Sequence, residues 1–285
     1  MPELPEVETI VRDLRPVLKR RKITGVSRLP TKMRRAEPID WTGSLVGLSW
    51  KRVTRRGKWI VNELSADCHL LIHLGMTGQL QVQKMGGNEI DHLHLQIELD
   101  NGKCLQFRDV RRFGAVRFLT AEQALATYFD EEGLGPEPFQ VDPAYWFKRL
   151  NSSQRNLKAL LLDQGIVAGV GNIYADEALF RARLAPVLRG CDLKPAQAES
   201  LRLAVEEVLQ DAISKRGSTI RDYIGGSGLK GGFQNNLRVY GRTGDPCVRC
   251  SMPVAKIDLA GRSTHFCPRC QVGNGRQPLG SKEGR

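Results

Sequence analysis

The run Gly133-Leu-Gly-Pro-Glu-Pro138 divides this sequence into two kinds of pattern. Two glycines and two prolines in so short a stretch end a helix or a central strand and mark a linker. Upstream of it, apolar residues alternate with polar ones. The clearest case is His92-Leu-His-Leu-Gln-Ile-Glu-Leu99, where Leu93, Leu95, Ile97 and Leu99 share one face of a half-buried strand. Asp100-Asn-Gly102 supplies a hairpin turn, and 103–107 reads as the returning strand. Residues 59–64 and 69–74 read as two more strands. Short strands at such spacing predict a β-sandwich or barrel. A helical pattern (Val7, Ile10, Val11, Leu14) precedes them, opened by Pro5 and Glu6, since proline suits the first helical turn.

Downstream of the linker the period becomes helical. Helices are predicted over 145–150 and 154–162, then a glycine-rich turn over 165–171 and a helix over 173–183. The longest helix is predicted over 193–216, with apolar positions Leu201, Val205, Val208, Leu209, Ala212 and Ile213. Asp192 suits its cap, Pro195 its first turn and Gly217 its end. Residues 218–233 are rich in Gly and Ser, which fits a mobile lid or a plain linker. From 273 the tail lacks the apolar surface needed to fold and is expected to be disordered.

The chain has 285 residues, enough for two domains. Lys and Arg number 43 against 31 Asp and Glu, an excess of 12 that favours a polyanionic partner. There is no run of eighteen apolar residues and no charged-then-apolar leader, so a soluble intracellular protein is expected. Of seven cysteines, four form Cys247-x2-Cys250-x16-Cys267-x2-Cys270. Two close thiolate pairs match a tetrahedral zinc site, and four protein ligands leave no open position, so the metal is read as structural. A redox pair is the other reading of each Cys-x-x-Cys. Cys68, Cys104 and Cys191 are read as free thiols.

Several residues admit a chemical and a plain structural reading. An initiator Met before a small residue is normally removed, which would leave Pro2 as a secondary amine. An α-amino group has a pKa of about 8, and the adjoining helix start disfavours positive charge and lowers it. Glu3 places a carboxyl group one residue away. Taken alone, the same residues could simply begin a helix. His73-Leu-Gly-Met-Thr-Gly-Gln79 puts Met76 on a glycine-flanked turn, and Asp109-Val-Arg-Arg-Phe-Gly114 puts Phe113 beside two arginines. An apolar wedge flanked by guanidinium groups suits the opening of a base stack, although Phe113 could equally belong to a core. Lys58 fits a solvated basic cluster and Asn172 a helix cap or a phosphate-binding helix start. Arg262, on a turn between the two cysteine pairs, suits phosphate binding or plain exposure.

Met-Pro-Glu-Leu-Pro-Glu-Val-Glu-Thr9 and the four-cysteine module resemble the bacterial formamidopyrimidine-DNA glycosylase (Fpg or MutM) family, and the resemblance runs from Pro2 to Cys270. It implies an α+β multidomain protein: an N-terminal β-sandwich with an N-terminal helix (1–134), a helical helix–two-turn–helix domain (135–236) with a lesion loop at 218–233, a C-terminal zinc-ribbon finger (237–271) and a disordered tail (272–285). It implies catalytic roles for Pro2, Glu3, Lys58 and Arg262, the last in δ-elimination. Met76, Arg111 and Phe113 would fill the gap left by a flipped nucleotide, with Arg111 meeting the orphaned base. His92 and Asn172 would contact DNA. The chain departs from the family in one place: a lysine is common ahead of the Arg-x-Leu/Ile-Lys run, where this chain has Ser152-Ser-Gln154 before Arg155-Asn-Leu-Lys158. Arg155 or Arg149 would then have to supply that phosphate contact.

The expected function is therefore that of a monomeric, cytoplasmic bacterial DNA glycosylase and abasic-site lyase with one structural Zn2+. Its partner is double-stranded DNA holding an oxidised purine or abasic site. Pro2 would attack C1′, and β- and δ-elimination would cut both sides. The sister endonuclease VIII branch, acting on oxidised pyrimidines, and a non-catalytic zinc-ribbon DNA binder are the alternatives. Leu4 and the Met76, Arg111 and Phe113 wedge favour the purine branch.

Overall fold

A computed structural model describes residues 2–28, 41–86, 91–218 and 231–273. The chain divides into two compact units, residues 1–132 with 212–234 and residues 133–211 with 235–285. Most of the glycine-rich loop (219–230) and the tail from 274 lie outside the described residues.

The first unit contains α1 (Leu4–Leu18), β1 (Ile23–Arg28), α2 (Thr42–Leu45), β2 (Trp50–Arg56), β3 (Trp59–Leu64), β4 (His69–His73), β5 (Gly78–Lys84), β6 (Leu93–Leu99), β7 (Lys103–Asp109), β8 (Ala115–Leu119) and α3 (Leu125–Glu131). Its strands form two four-stranded antiparallel sheets, ordered β1-β6-β7-β5 and β2-β3-β4-β8. Ile97, Leu105 and Phe107 from one sheet share a buried core with Ile60, Leu70 and Ile72 from the other. This is the expected sandwich. Val7, Ile10, Val11, Leu14 and Leu18 of α1, each no more than 1% exposed, enter the same core. At about 1.5–3 kcal/mol per buried aliphatic side chain, that stripe fixes the helix that carries the N-terminus.

One strand departs from simple alternation. The pairing of β6 with β7 shifts between Leu93 and Leu95, which turns His94 into the interior, where its Nε2 lies 2.8 Å from the Asp109 carbonyl. His92 therefore does not lie on the strand's polar face. It precedes the strand, exposed, with φ at +61°.

In the second unit, α4 (Pro143–Asn151) is capped by Asp142, which accepts the Tyr145 N–H at 2.8 Å, and α5 (Leu157–Leu162) by Asn156, which accepts from Ala159 at 2.8 Å. Next come α6 (Asn172–Arg181) and α7 (Pro195–Ser214), the latter counted with this unit as far as Asp211. Trp146 is buried and donates its indole N–H to the Ala198 carbonyl at 2.9 Å, pinning α4 to α7. Asp192 does not cap α7: its carboxylate is held by Arg189 at 2.7 Å, and Gln197 accepts the Lys194 N–H at the helix start instead. The finger hairpin pairs β9 (Ala255–Leu259) with β10 (Arg262–Phe266). Ordered contacts continue through Val272, which bridges to Leu184.

Candidate active site and nucleic-acid surface

Pro2 is buried at the start of α1. Glu3 and Glu6 form a reciprocal capping box, in which Glu6 Oε2 accepts the Glu3 N–H at 2.8 Å. Such a box satisfies helix-start donors that would otherwise lack partners. Both carboxylates are nearly inaccessible, at 2% and 1% exposure, and the positive end of the helix dipole favours their charge. The other Glu6 oxygen accepts the Ser218 N–H at 2.7 Å. One side chain thus links the N-terminal residues to the base of the glycine-rich loop.

The base of that loop is tightly built. Gly217 ends α7 with φ at +75°, and a Cβ there would lie 2.6 Å from Glu6 Oε1. Phe233 donates its N–H to the Gly217 carbonyl at 3.0 Å, so the two flanks of 219–230 are joined. The sequence offered only a degenerate sign of Glu6, an acidic residue three positions after another at a helix start.

Lys58 lies in the turn between β2 and β3 and is buried at 8% exposure, so it is not part of a solvated cluster. Arg55 donates to Glu8 on α1 at 3.3 Å and to the Gly57 carbonyl at 3.0 Å. This arginine ties the Lys58 turn to the first turns of α1.

The turns carrying Met76 and Phe113 are joined to each other. Gly75 has φ at +62°, and a Cβ on it would stand 2.5 Å from the Phe113 carbonyl carbon, so only glycine permits the approach. Asp109, fully buried, accepts the Thr77 hydroxyl at 2.6 Å and the Gly114 N–H at 2.8 Å. The Thr77 oxygen in turn accepts the Arg111 N–H at 3.0 Å. Asp109 also donates its own N–H to the His92 carbonyl at 3.0 Å. Met76 is exposed, and the Arg111 guanidinium lies 4.7 Å from the centre of the half-buried Phe113 ring. An apolar pair and a cation thus stand on two turns fixed from beneath by one aspartate. Met76, Arg111 and Phe113 are legible in the sequence, whereas Asp109 and Thr77 are not, because their role depends on strand pairing.

In the second unit, the turn between α5 and α6 is stapled by Gln164, which donates to the Leu162 and Val170 carbonyls and accepts from Gly169. Asn172 starts α6. Its Nδ2 donates to the Ser263 carbonyl at 3.0 Å, while its Oδ1 is buried without a hydrogen-bond partner among the described residues. Arg155 is committed locally, to Asp163 at 2.7 Å and the Ala159 carbonyl at 3.1 Å. Arg149 is exposed in the last turn of α4, and its charge helps to hold the Asp163 carboxyl below its usual range, with no direct hydrogen bond to it among the described residues.

The four sulfurs of Cys247, Cys250, Cys267 and Cys270 lie within 4.8 Å of one another, with the 247–270 and 250–267 pairs at 3.9 and 3.5 Å. Zinc–sulfur bonds of about 2.3 Å in a tetrahedron need sulfurs about 3.8 Å apart, so the donor set fits zinc. Burial and the neighbouring sulfurs push the Cys270 thiol up to about 12, while the Met252 N–H draws Cys250 down to about 7. A dication among four sulfurs relieves that opposition and holds them as thiolates. Phe180 of α6 packs with Cys247 and Cys267, and Arg249 stacks on its ring at 4.3 Å while donating to its carbonyl at 2.7 Å. The hairpin tip is a two-residue turn, Ala260-Gly261, both at positive φ. Arg262 is the exposed first residue of β10, paired with Leu259.

Residues 1–116 match the family of the formamidopyrimidine-DNA glycosylase N-terminal domain, 134–223 that of its H2TH domain, and 244–272 the zinc finger found in FPG and IleRS. The chain is 43% identical over 275 residues to the formamidopyrimidine-DNA glycosylase of Chloroflexus aurantiacus, covering 95% of this chain and 98% of that one. Among solved structures it resembles a Lactococcus lactis FPG mutant in complex with Fapy-dG DNA (TM-score 0.88, 36% identity, 95% and 99% of the chains covered). It is also similar to Lactococcus lactis Fpg with DNA containing an abasic site (TM-score 0.87, 35% identity, 95% and 99% covered).

Proposed function

This chain belongs to the formamidopyrimidine-DNA glycosylase family, and from that premise we propose how its residues carry the reaction. It is a DNA glycosylase and abasic-site lyase that acts on duplex DNA holding oxidised purines, and it carries one structural zinc. With Met1 removed, the Pro2 nitrogen attacks C1′ of the damaged nucleoside and the C1′–base bond breaks, the base leaving with a proton. Glu3, held at the helix start, passes protons at the opening sugar. A secondary amine can form only a permanently charged iminium, which acidifies the C2′ hydrogen. Loss of that proton expels the 3′ phosphate, and a second elimination expels the 5′ phosphate. Lys58 assists the first elimination and Arg262 the second.

The wedge reading assigns Met76 and Phe113 to the space vacated by the flipped nucleotide and Arg111 to the orphaned base. Unstacking costs a few kcal/mol, and the Asp109 scaffold keeps the inserted groups rigid. His92 and Asn172 contact phosphates. Arg149 rather than Arg155 replaces the family lysine, because Arg155 is already spent on Asp163. We set the domain limits at 134, 236 and 271. No helix among the described residues is long and apolar enough to cross a membrane. We place the protein, as a monomer, in the bacterial cytoplasm at the nucleoid.

The observation that carries the reading is the buried Glu3–Glu6 box at the start of α1, directly after the buried Pro2. The test is incision of duplexes holding 8-oxoguanine opposite cytosine against thymine glycol. Purine excision with little pyrimidine excision supports it, and the reverse preference moves the chain to the endonuclease VIII branch.

A further inference from the structure

Beneath the finger hairpin lies a buried charged cluster that the chemistry above does not use. Lys158 of α5 and Asp176 of α6 are both almost wholly buried, with Nζ and Oδ1 2.5 Å apart. The other Asp176 oxygen accepts the His265 backbone N–H at 2.8 Å and lies 3.1 Å from its ring Nδ1. An ionised carboxylate cannot donate, so Nδ1 carries the proton of that second bond. Lys158 also donates to the Asn172 carbonyl at 2.8 Å, and Asn172 donates from Nδ2 to the Ser263 carbonyl.

These contacts fall on one side of one strand. In an antiparallel pair, residues alternate between bonding the partner strand and pointing away from it. Ser263 and His265 are both bonded to α6 side chains, so α6 completes the edge of β10 that β9 leaves open. Zinc fixes β10 only at its far end, through Cys267. Arg262 lies four residue steps from Phe266, about 14 Å at about 3.4 Å per residue. A hinge of about 10° at the knuckle would displace the tip by about 2 Å, and an error of about 1 Å can cost about a hundredfold in rate.

We propose that Asp176, neutralised by Lys158, is a positioning residue for Arg262: by clamping β10 at His265 it holds the finger-tip guanidinium in register for the second elimination. The proposal rests on the assignment of Arg262 to that step. It predicts a selective fault. Capture of the sugar by Pro2 and the first elimination do not need the tip in place, whereas the second one does.

The test uses full-length zinc-loaded protein and an end-labelled duplex with a preformed abasic site, on a gel that resolves the β- from the βδ-product. The double variant Asp176→Leu/Lys158→Met removes both charges together, so neither is left buried alone. We expect one zinc per chain, borohydride capture within twofold of wild type, and at least a tenfold rise in the β-to-βδ ratio. A wild-type ratio in a zinc-loaded double variant overturns the proposal. Should that variant lose zinc, His265→Phe decides, since it keeps the backbone bond and every metal ligand. A rise of about threefold or more supports the clamp, and an unchanged ratio overturns it. Arg262→Gln distinguishes loss of the Arg262 role from loss of the clamp. An unchanged ratio there removes the role of Arg262 and the proposal with it. A raised ratio there, with wild-type behaviour in the clamp variants, overturns the clamp alone.

Discussion

The Thr77 hydroxyl donates to Asp109 Oδ1 at 2.6 Å, and its oxygen receives the Arg111 N–H, so one buried carboxylate sets the turns that carry Met76, Arg111 and Phe113. Thr77→Val keeps the shape of the side chain and removes both bonds. Leaving such groups unsatisfied costs about 1–3 kcal/mol. Excision of 8-oxoguanine from a duplex should fall about ten- to a hundredfold, whereas cleavage at a preformed abasic site, which has no base to expel, should fall much less. Equal losses on both substrates would refute the scaffold.

Glu6 serves two backbone donors with its two oxygens, Glu3 N–H and Ser218 N–H. Glu6→Gln offers one acceptor and turns an amide toward the other donor, so the melting temperature should drop by several degrees and base excision should slow. Gly217→Ala attacks the same point from the loop side, through an unfavourable φ and a 2.6 Å contact with Glu6 Oε1. Both variants should lose excision of the intact lesion more than abasic-site cleavage. Thermal melts and paired substrates measure this, and a wild-type excision rate in Gly217→Ala would dismiss the link.

The sandwich, the helices and the cysteine knuckles were legible in the sequence because each follows from local periodicity or ligand spacing. Val7, Ile10, Val11 and Leu14 mark the core-facing stripe of α1 before any partner is known. What could not be read depends on pairing between distant residues. His94 alternates as a polar position, and only the shift between β6 and β7 turns it inward. Asp109 and Asp176 look like ordinary acidic residues until Thr77 and His265 are brought to them. Lys58 reads as one more cation in a basic run, yet Arg55 folds the turn back onto α1 and buries it. The family lysine missing near Ser153 was legible, but not that Asp163 removes Arg155 from the choice of substitute.

That choice can be tested by charge removal. Arg149→Ala should weaken binding to lesion-containing duplex and flatten its salt dependence by about one ion. Arg155→Ala should chiefly affect stability, through Asp163 and the Ala159 carbonyl. The opposite pattern in a salt titration would return the contact to Arg155.

Zinc removal should act on the finger and leave the sandwich intact. Mild chelation or Cys247→Ser is expected to weaken DNA binding through loss of the β9–β10 hairpin, with the first unit still folded by circular dichroism. Full DNA affinity in a zinc-free Cys247→Ser preparation would contradict the structural role.

Covalent catalysis here requires the nitrogen of Pro2 to bond to deoxyribose. Borohydride reduction of the protein with abasic-site DNA, followed by mass spectrometry of the crosslinked peptide, tests it most directly. One reduced adduct is expected, on an N-terminal peptide that begins at Pro2, and no adduct when an extension blocks that nitrogen. An adduct on Lys58, or an active protein that retains Met1, would contradict it.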